Sequence, residues 1–239
     1  EDLGRQYNYL NFSSYARVFA SLIIGEIKRA EKPVRVLDIG CGRGIGRQAE
    51  PQQEIHEAAD EFWGIEPDET VVPGDDQFDN FQYALMETAE LPENSFDIAY
   101  SSMVMEHVSD PQSFLTALHR ALKPGGSYLF LTPNVHSFIP RVTKLCHDLR
   151  IDEFVLRLVQ GQQQVEEYHY PVQFKCNSPK QIGSEGERLG FLPPEFAYIE
   201  GSGGRSYFPG PLRLVYAALK AKRQLIKNPA RLATMICKL

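Results

Sequence analysis

The sequence lacks several features that would restrict its class. No stretch of its 239 residues approaches the ~18 consecutive apolar residues that a membrane-spanning helix needs, so none is predicted. No secretory signal peptide is visible at the amino end. The four cysteines form no Cys-x-x-Cys pair, so neither a zinc site nor a thioredoxin-type motif is indicated. Scattered thiols fit a reducing compartment, and we expect a cytoplasmic protein.

Positive charge is also scarce. Lys and Arg number 25 against 31 Asp and Glu, which gives a formal net charge of −6. Because phosphate binding favours a basic face, we expect no nucleic-acid partner. The last predicted helix has a basic face, for which exposure to solvent is the simpler interpretation and peripheral membrane contact the alternative. The residues of this face are Arg213, Lys220, Arg223 and Lys227.

Apolar strands alternate with helices over the first 135 residues, which predicts a parallel sheet covered on both faces. The clearest helix, 110–126, has Asp110 as its N-cap and Pro111 at its first position, and Lys123 to Gly126 end it. Pro51 weakens the helical pattern after the first strand. Another amphipathic helix is predicted over 13–30, and strands over 34–40, 61–68, 81–87, 96–102 and 127–134.

The alternation lapses from about residue 137. Helices are predicted over 152–160, 178–190 and 212–226, and strands over 191–201 and 234–239. Ser178 and Gly190 give the middle helix a start and a stop signal. Since no linker divides the chain, we predict a single domain, 1–239, with insertions at about 137–177 and 205–230.

The segment 36–46, VLDIGCGRGIG, has a glycine at every second position after a strand. If the dinucleotide fingerprint G-x-G-x-x-G began at Gly40, its third glycine would fall on Ile45. The Gly-Lys-Ser/Thr of a P-loop is also missing. Asp38 would repel a phosphate but attract a cation. The loop therefore predicts a ligand that carries an ammonium group and no phosphate.

Two carboxylates follow the next two strands. Glu66 lies about 20 residues past the glycines, where a carboxylate accepts both hydroxyls of a ribose. Glu87 is placed to accept from an exocyclic amine, with Glu90 as the alternative. An ammonium group, a ribose and an adenine-like amine together indicate S-adenosylmethionine.

The motifs resemble those of class I S-adenosylmethionine-dependent methyltransferases, most of all the small-molecule branch known as methyltransferase type 11. The resemblance covers about residues 15–135, through VLDIGCGRG, GIEPD, AELPENSFDIAYSSMVMEHV and RALKPGG followed by LFLTPN. It implies a Rossmann-like α/β fold. The expected doubly wound sheet has seven strands, mostly parallel with an antiparallel last strand, and helices on both faces.

The resemblance also implies which residues bind the cofactor. The glycine loop would hold the methionine part, Glu66 the ribose, and Glu87 with Thr88 the adenine edge, where family members often have Asp-Ala. Gly125 and Gly126 belong to the motif as a structural turn. The full implied set is Asp38, Gly40, Cys41, Gly42, Gly44, Glu66, Pro67, Glu87, Thr88, Ser101 and Ser102.

The implied reaction is in-line (SN2) transfer of the methyl group to a small-molecule acceptor, with a hydroxyl favoured and N- or C-methylation left open. A non-catalytic, cofactor-binding partner subunit is the alternative function. A hydroxyl acceptor would benefit from a base, and His107 and His169 are the candidates. No metal is predicted, and the oligomeric state is left open. Acceptor contacts are predicted at His136, Tyr168, Tyr170 and Phe174, and cofactor capping at Tyr7 and Tyr15; ordinary packing is the alternative for these side chains.

Overall fold

One seven-stranded sheet organises the residues described by the computed structural model, which are 15–137, 171–199 and 232–239 with positions 214, 217, 218, 221 and 230. Its strands are β1 (Arg35–Ile39), β2 (Glu61–Ile65), β3 (Asn80–Gln82), β4 (Phe96–Ser102), β5 (Leu122–Pro133), β6 (Glu195–Ile199) and β7 (Thr234–Lys238). The helices are α1 (Tyr15–Ile27), α2 (Ala49–Ala58), α3 (Pro111–Ala121) and α4 (Pro179–Leu189).

The strand order is β3-β2-β1-β4-β5-β7-β6. Strands β1 to β5 pair in parallel, whereas β7 runs antiparallel to both of its neighbours, β5 and β6. The predicted fold class is confirmed. The chain moves outward from β1 to β3 on one side and through β4 on the other, so β1 and β4 flank a topological switch point. Ligands of open α/β sheets bind at such a point, beyond the carboxyl ends of the strands.

Each central strand buries side chains on both faces, which explains the near-continuous apolar runs. On one face Leu37 and Phe130 belong to a core shared with α3 and α4. On the other face Val36 and Leu129 belong to a core shared with α1 and α2. The two cores fix the helices against the sheet, and the sheet fixes the loops at its carboxyl edge.

The predicted helix signals are found in the structure. The Asp110 carboxylate accepts a hydrogen bond from the Ser113 amide, 3.2 Å away, at the start of α3. Ser178 Oγ accepts from the Gln181 amide at 3.3 Å at the start of α4. Gly190 ends α4 in the left-handed conformation, with φ of 89°, as the C-terminal glycine signal predicts.

Two features of the local structure differ from what the sequence pattern indicates. The segment after β1 forms a regular helix, α2, although Pro51 weakens its sequence pattern. Pro51 is the third residue of α2, where an amide has no partner inside the helix, so the missing N–H costs nothing. The third strand covers only Asn80–Gln82 instead of 81–87. Glu87 therefore lies in a turn beyond the strand.

The Lys-Pro-Gly-Gly segment lies inside β5 and does not separate it from α3. The pairing of β4 with β5 shifts from Phe96↔Leu122 to Ile98↔Ser127, so the extra residues of β5 form a bulge. A Cβ on Gly126 would lie 3.0 Å from the Phe96 carbonyl oxygen. Gly126 thus permits a close approach of the two strands.

The remaining boundaries differ from prediction by a few residues. Within the described part, the first helix is Tyr15–Ile27, the second strand ends at Ile65, and the strand predicted over 191–201 begins at Glu195. The predicted helix 152–160 lies outside the described residues. So do most of the helix 212–226 and most of the two predicted insertions.

Candidate functional site

The glycine loop after β1 uses its first amides within the protein. The amides of Gly40 and Cys41 donate to the Ile65 carbonyl at 2.8 and 3.2 Å. The Gly42 amide donates to Glu66 Oε2 at 2.7 Å. The Gly44 amide donates to the Cys41 carbonyl at 3.1 Å. A phosphate cradle needs such amides to point at the ligand, so these contacts agree with the prediction of a ligand without a phosphate.

Two of the glycines are required by close approaches. Gly40 has φ of 66°, and a Cβ there would lie 2.5 Å from Cγ2 of Val104. Gly44 has φ of 89°, and a Cβ would lie 2.3 Å from the Gln48 carbonyl oxygen. The loop is therefore packed between the segment after β4 and the start of α2.

Asp38 is a buried acid beside this loop, 2% exposed. Its Oδ2 accepts from Gln52 Nε2 and from Tyr100 Oη, each at 2.6 Å. Burial and, to a smaller extent, the nearby Glu66 raise the pKa of Asp38 to about 7, while the hydrogen bonds from Tyr100 and Gln52 oppose the shift. With a pKa so close to neutrality, a positively charged ligand would favour the ionised form of Asp38.

The sequence analysis missed Gln52 and Tyr100. Tyr100 pairs with Asp38 across the β1–β4 register, and neighbours in register point to the same face, so the strand alignment could have revealed it. Gln52 also donates to the Cys41 carbonyl at 3.2 Å and accepts from Gln77 at 2.7 Å. It connects α2 and the loop before β3 to the glycine loop.

Glu66 lies at the end of β2 and is 6% exposed. Its Oε2 accepts from Gly42, and its Oε1 accepts from the Asp68 amide at 3.0 Å. Burial raises the pKa of Glu66, while the hydrogen bonds from the Asp68 and Gly42 amides oppose that shift. Each carboxylate oxygen has a second acceptor position, so both can also take a hydroxyl. The next residue, Pro67, is partly buried.

Glu87 and Thr88 lie in the turn that follows β3. Glu87 Oε2 is buried and has no hydrogen-bond partner, which makes it an open acceptor that fits an amine. Glu87 also borders a cavity of about 470 Å³ on the side of α3. The exposed Thr88 donates from Oγ1 to the Leu85 carbonyl at 3.3 Å, so its hydroxyl is used within the turn.

The two serines at the end of β4 differ. Ser101 Oγ lies 2.6 Å from Tyr128 Oη in the core, so only its backbone can face the switch point. Ser102 Oγ is buried without a hydrogen-bond partner. Orphaned oxygens on Ser102 and Glu87 fit a site that gains hydrogen bonds when a polar ligand enters.

His107 is brought toward the glycine loop by the segment after β4. Its amide donates to the Val104 carbonyl at 2.8 Å, and Val104 packs on Gly40. On its other side, His107 Nδ1 lies 3.4 Å from the Pro171 carbonyl oxygen. The Phe174 amide donates to the Glu106 carbonyl at 3.1 Å. The structure thus brings the His107 and Phe174 segments together.

The other predicted contacts are spread more widely. His136 has an exposed side chain in the turn after β5. Tyr15 packs on the last glycine of the loop, because a Cβ on Gly46 would lie 2.9 Å from its hydroxyl oxygen. Tyr7, Tyr168, His169 and Tyr170 lie outside the described residues.

Glu106, which the sequence analysis also missed, is a second buried acid near the switch point. It is 4% exposed, and its Oε2 accepts from Thr132 Oγ1 at 3.0 Å. Burial raises its pKa to about 7, and its own backbone amide and Thr132 oppose the shift. An acid directly after the apolar residues Met103 to Met105 is the signal that could have revealed it.

Two features are absent from the described residues. No three His, Cys, Asp or Glu side chains in this part of the chain come together as metal ligands. No helix there has both the length and the apolar character that crossing a membrane requires.

Comparison with known proteins gives a family match over most of the chain. Residues 5–180 match the family model described as a methyltransferase domain. A ubiquinone biosynthesis O-methyltransferase from Ruegeria pomeroyi is 33% identical over 122 residues, which cover 47% of this chain and 48% of that protein. The chain thus matches less than half the length of this curated relative.

Solved structures show the same fold at low sequence identity. A Haloferax volcanii methyltransferase in complex with a methyltransferase activator has a TM-score of 0.58 at 13% identity, covering 93% of this chain and 88% of that one. The Haemonchus contortus phosphoethanolamine N-methyltransferase 2, solved with S-adenosyl-L-methionine, has a TM-score of 0.57 at 14% identity. That match covers 97% of this chain and 53% of the other.

Proposed function

The chain belongs to the class I family of S-adenosylmethionine-dependent methyltransferases, and we propose that it methylates a hydroxyl group of a small-molecule acceptor. The main support for the cofactor site in this proposal is the 2.7 Å contact between the Gly42 amide and Glu66 Oε2. This contact places the loop that would hold the methionine part beside the carboxylate that would hold the ribose. Both lie at the switch point, close to the buried acid Asp38.

The residues present fit S-adenosylmethionine. Glu66 has acceptor positions left for two ribose hydroxyls, and Glu87 has an orphaned oxygen for the adenine amine. Asp38 and the loop carbonyls favour the cationic methionine part. When bound, the cofactor supplies a methyl group on a sulfonium, which is already activated for transfer. The protein's main task is then to hold the acceptor in line and close.

His107 is the proposed base for the acceptor hydroxyl. If its Nδ1 carries the proton and faces the Pro171 carbonyl, its Nε2 keeps a lone pair. That nitrogen would take the hydroxyl proton as the acceptor oxygen bonds to the methyl carbon and the sulfur–methyl bond breaks. His169 is a second candidate, outside the described residues. Phe174 would pack against the acceptor.

A hydroxyl acceptor is favoured over an amine by the Ruegeria pomeroyi relative, whose name specifies O-methylation. The phosphoethanolamine N-methyltransferase shares only the fold, at 14% identity. We therefore place O-methylation first and keep N- and C-methylation as outcomes of the test. A third outcome is a partner subunit that binds the cofactor without catalysis.

The test combines binding with methyl transfer. S-adenosylhomocysteine binding is measured by isothermal titration calorimetry. Transfer from methyl-labelled S-adenosylmethionine is then measured to a catechol (3,4-dihydroxybenzoate), a sugar and a simple phenol, with phosphoethanolamine as the amine probe. We expect binding and labelling of a hydroxyl, with loss of labelling but retained binding in His107→Ala.

Three results would contradict the proposal. Labelling of phosphoethanolamine alone would replace O- with N-methylation. Binding without transfer to any probe would favour the non-catalytic subunit. Unchanged labelling in His107→Ala would remove His107 as the base.

A further inference from the structure

Glu106 is a buried carboxyl with no part in the chemistry described above. It lies between the buried apolar residues Met105 and Val108, four residues beyond β4. Burying an ionisable group destabilises a fold unless its hydrogen bonds are satisfied. The hydrogen bonds of Glu106 therefore indicate its role in the structure.

The side chain of Glu106 is the end of a directed chain of hydrogen bonds. Asn177 Nδ2 donates to Thr132 Oγ1, so the single hydroxyl proton of Thr132 remains for Glu106 Oε2, 3.0 Å away. Asn177 Oδ1 is buried and has no hydrogen-bond partner. Thr132 Oγ1 thus accepts a hydrogen bond from the Asn177 side chain, and Glu106 orients the Thr132 hydroxyl group.

The backbone of Glu106 also binds the segment that contains Asn177, residues 173–177. Its carbonyl oxygen accepts from the amides of Gln173 and Phe174, at 2.7 and 3.1 Å. Phe174 has φ of 50°, a left-handed conformation that is unfavourable for a non-glycine residue and needs local support. Lys175 adds a bond from Nζ to the Ser109 carbonyl at 2.8 Å.

We propose that Glu106 is a positioning residue, which fixes residues 173–177 against the ends of β4 and β5 and thereby places Phe174 and His107 toward the methyl acceptor. The acceptor-side consequence rests on the proposed function. The attachment of residues 173–177 to Glu106 depends only on the hydrogen bonds described above and can be tested without any acceptor.

Four variants separate the parts of this link. Glu106→Ala removes the acceptor of the Thr132 bond, whereas Glu106→Gln keeps an oxygen in its place. Thr132→Val removes the hydroxyl at nearly constant volume, and Thr132→Ser restores it. Glu93→Gln is the matched surface control, because the Glu93 side chain is 66% exposed and its ion pair with Arg120 is long, at 3.8 Å.

Hydrogen exchange of the Gln173 and Phe174 amides is the direct readout. We expect Glu106→Ala and Thr132→Val to raise exchange there about tenfold, with unchanged exchange in β1 and unchanged affinity for S-adenosylhomocysteine. Glu106→Gln, Thr132→Ser and Glu93→Gln should resemble the wild type. With the hydroxyl probe that the wild type methylates, Glu106→Ala and Thr132→Val should raise KM more than they lower kcat.

Unchanged exchange at Gln173 and Phe174 in both disruptive variants would overturn the proposal. Exchange that rises equally in β1, or a parallel loss of S-adenosylhomocysteine affinity, would reduce Glu106 to a general stabilising role. If the wild type methylates no hydroxyl probe, the proposed reaction fails, while the exchange data still decide the role of Glu106.

Discussion

At the residue scale, the two acids that we propose to bind one ligand have different surroundings. Asp38 is bound by the side chains of Gln52 and Tyr100, and Glu66 by the amides of Gly42 and Asp68. Burial raises the pKa of Asp38 to about 7 although the two side-chain hydrogen bonds oppose the shift. We infer that Asp38 responds to the charge of the ligand, whereas Glu66 fixes the shape of the loop and binds hydroxyls.

Asp38→Asn should change how stability depends on pH. An unfolded Asp releases its proton near pH 3.8, while the folded one keeps it to about pH 7. The protonated Asp38 carboxyl of the folded protein stabilises the fold fully below pH 3.8, the pKa of the unfolded state. This stabilisation is lost as the pH rises through about 7, the pKa of the folded state. Relative to wild type, the variant should therefore gain about 1–3 kcal/mol between pH 4 and 8, measured by urea unfolding. A constant difference across this range would contradict the shifted pKa.

Glu66→Ala should weaken S-adenosylhomocysteine binding about 100-fold or more, because hydrogen bonds to a charged group contribute about 1.5–3 kcal/mol each. Calorimetry with the 2′-deoxyribose analogue separates ribose contacts from loop shape. The wild type should discriminate against the analogue, and the variant should not. Equal discrimination by both proteins would place the ribose elsewhere. The surface variant Glu57→Ala serves as the control, since Glu57 is exposed.

At the scale of elements, the glycine loop is shaped by contacts as much as by its own conformation. Gly44 and Gly125 both have positive φ, of 89° and 81°. A Cβ on Gly44 would meet the Gln48 carbonyl at 2.3 Å, whereas a Cβ on Gly125 would meet nothing within 4 Å. The same substitution at these two glycines therefore separates the effect of backbone strain from the effect of a steric clash with Gln48.

Gly125→Ala should cost only the strain of a left-handed alanine, about 1–2 kcal/mol of unfolding free energy, and leave S-adenosylhomocysteine affinity intact. Gly44→Ala should cost the same strain and also displace the start of α2. It should therefore lose affinity at least about tenfold at a temperature where the protein is folded. Equal affinities in the two variants would show that the contact with Gln48 does not shape the site.

The elements were predictable from sequence where local signals agree with the tertiary environment. Asp110 and Pro111 predicted the start of α3 because capping is a local interaction. Pro51 misled, because its cost depends on which turn of the helix it occupies. The Glu106 contacts with residues 173–177 were not predictable, since some 65 residues of chain separate the partners and no local pattern encodes their meeting. Asp38 and Glu66 could be proposed as site residues because their spacing from the glycines is visible in the sequence itself.

At the scale of the whole molecule, β7 joins the two parts of the sheet. It lies between β5 and β6, and among the described strands β6 pairs only with β7. The described residues that we propose to bind the cofactor lie on another part of the sheet, around β1, β2 and β4. We therefore expect overall stability and cofactor binding to respond separately to changes in β7.

Ile236→Ala provides that test. Ile236 is fully buried in the centre of β7, paired with Leu131 of β5 and Ala197 of β6. Its truncation should lower the unfolding free energy by about 2–5 kcal/mol, measured by urea denaturation, while Val72→Ala, at a site 81% exposed, should change it by less than about 0.5 kcal/mol. Below the melting transition, S-adenosylhomocysteine affinity should match the wild type in both. A loss of affinity in folded Ile236→Ala would show instead that β7 and the cofactor site are coupled through the sheet.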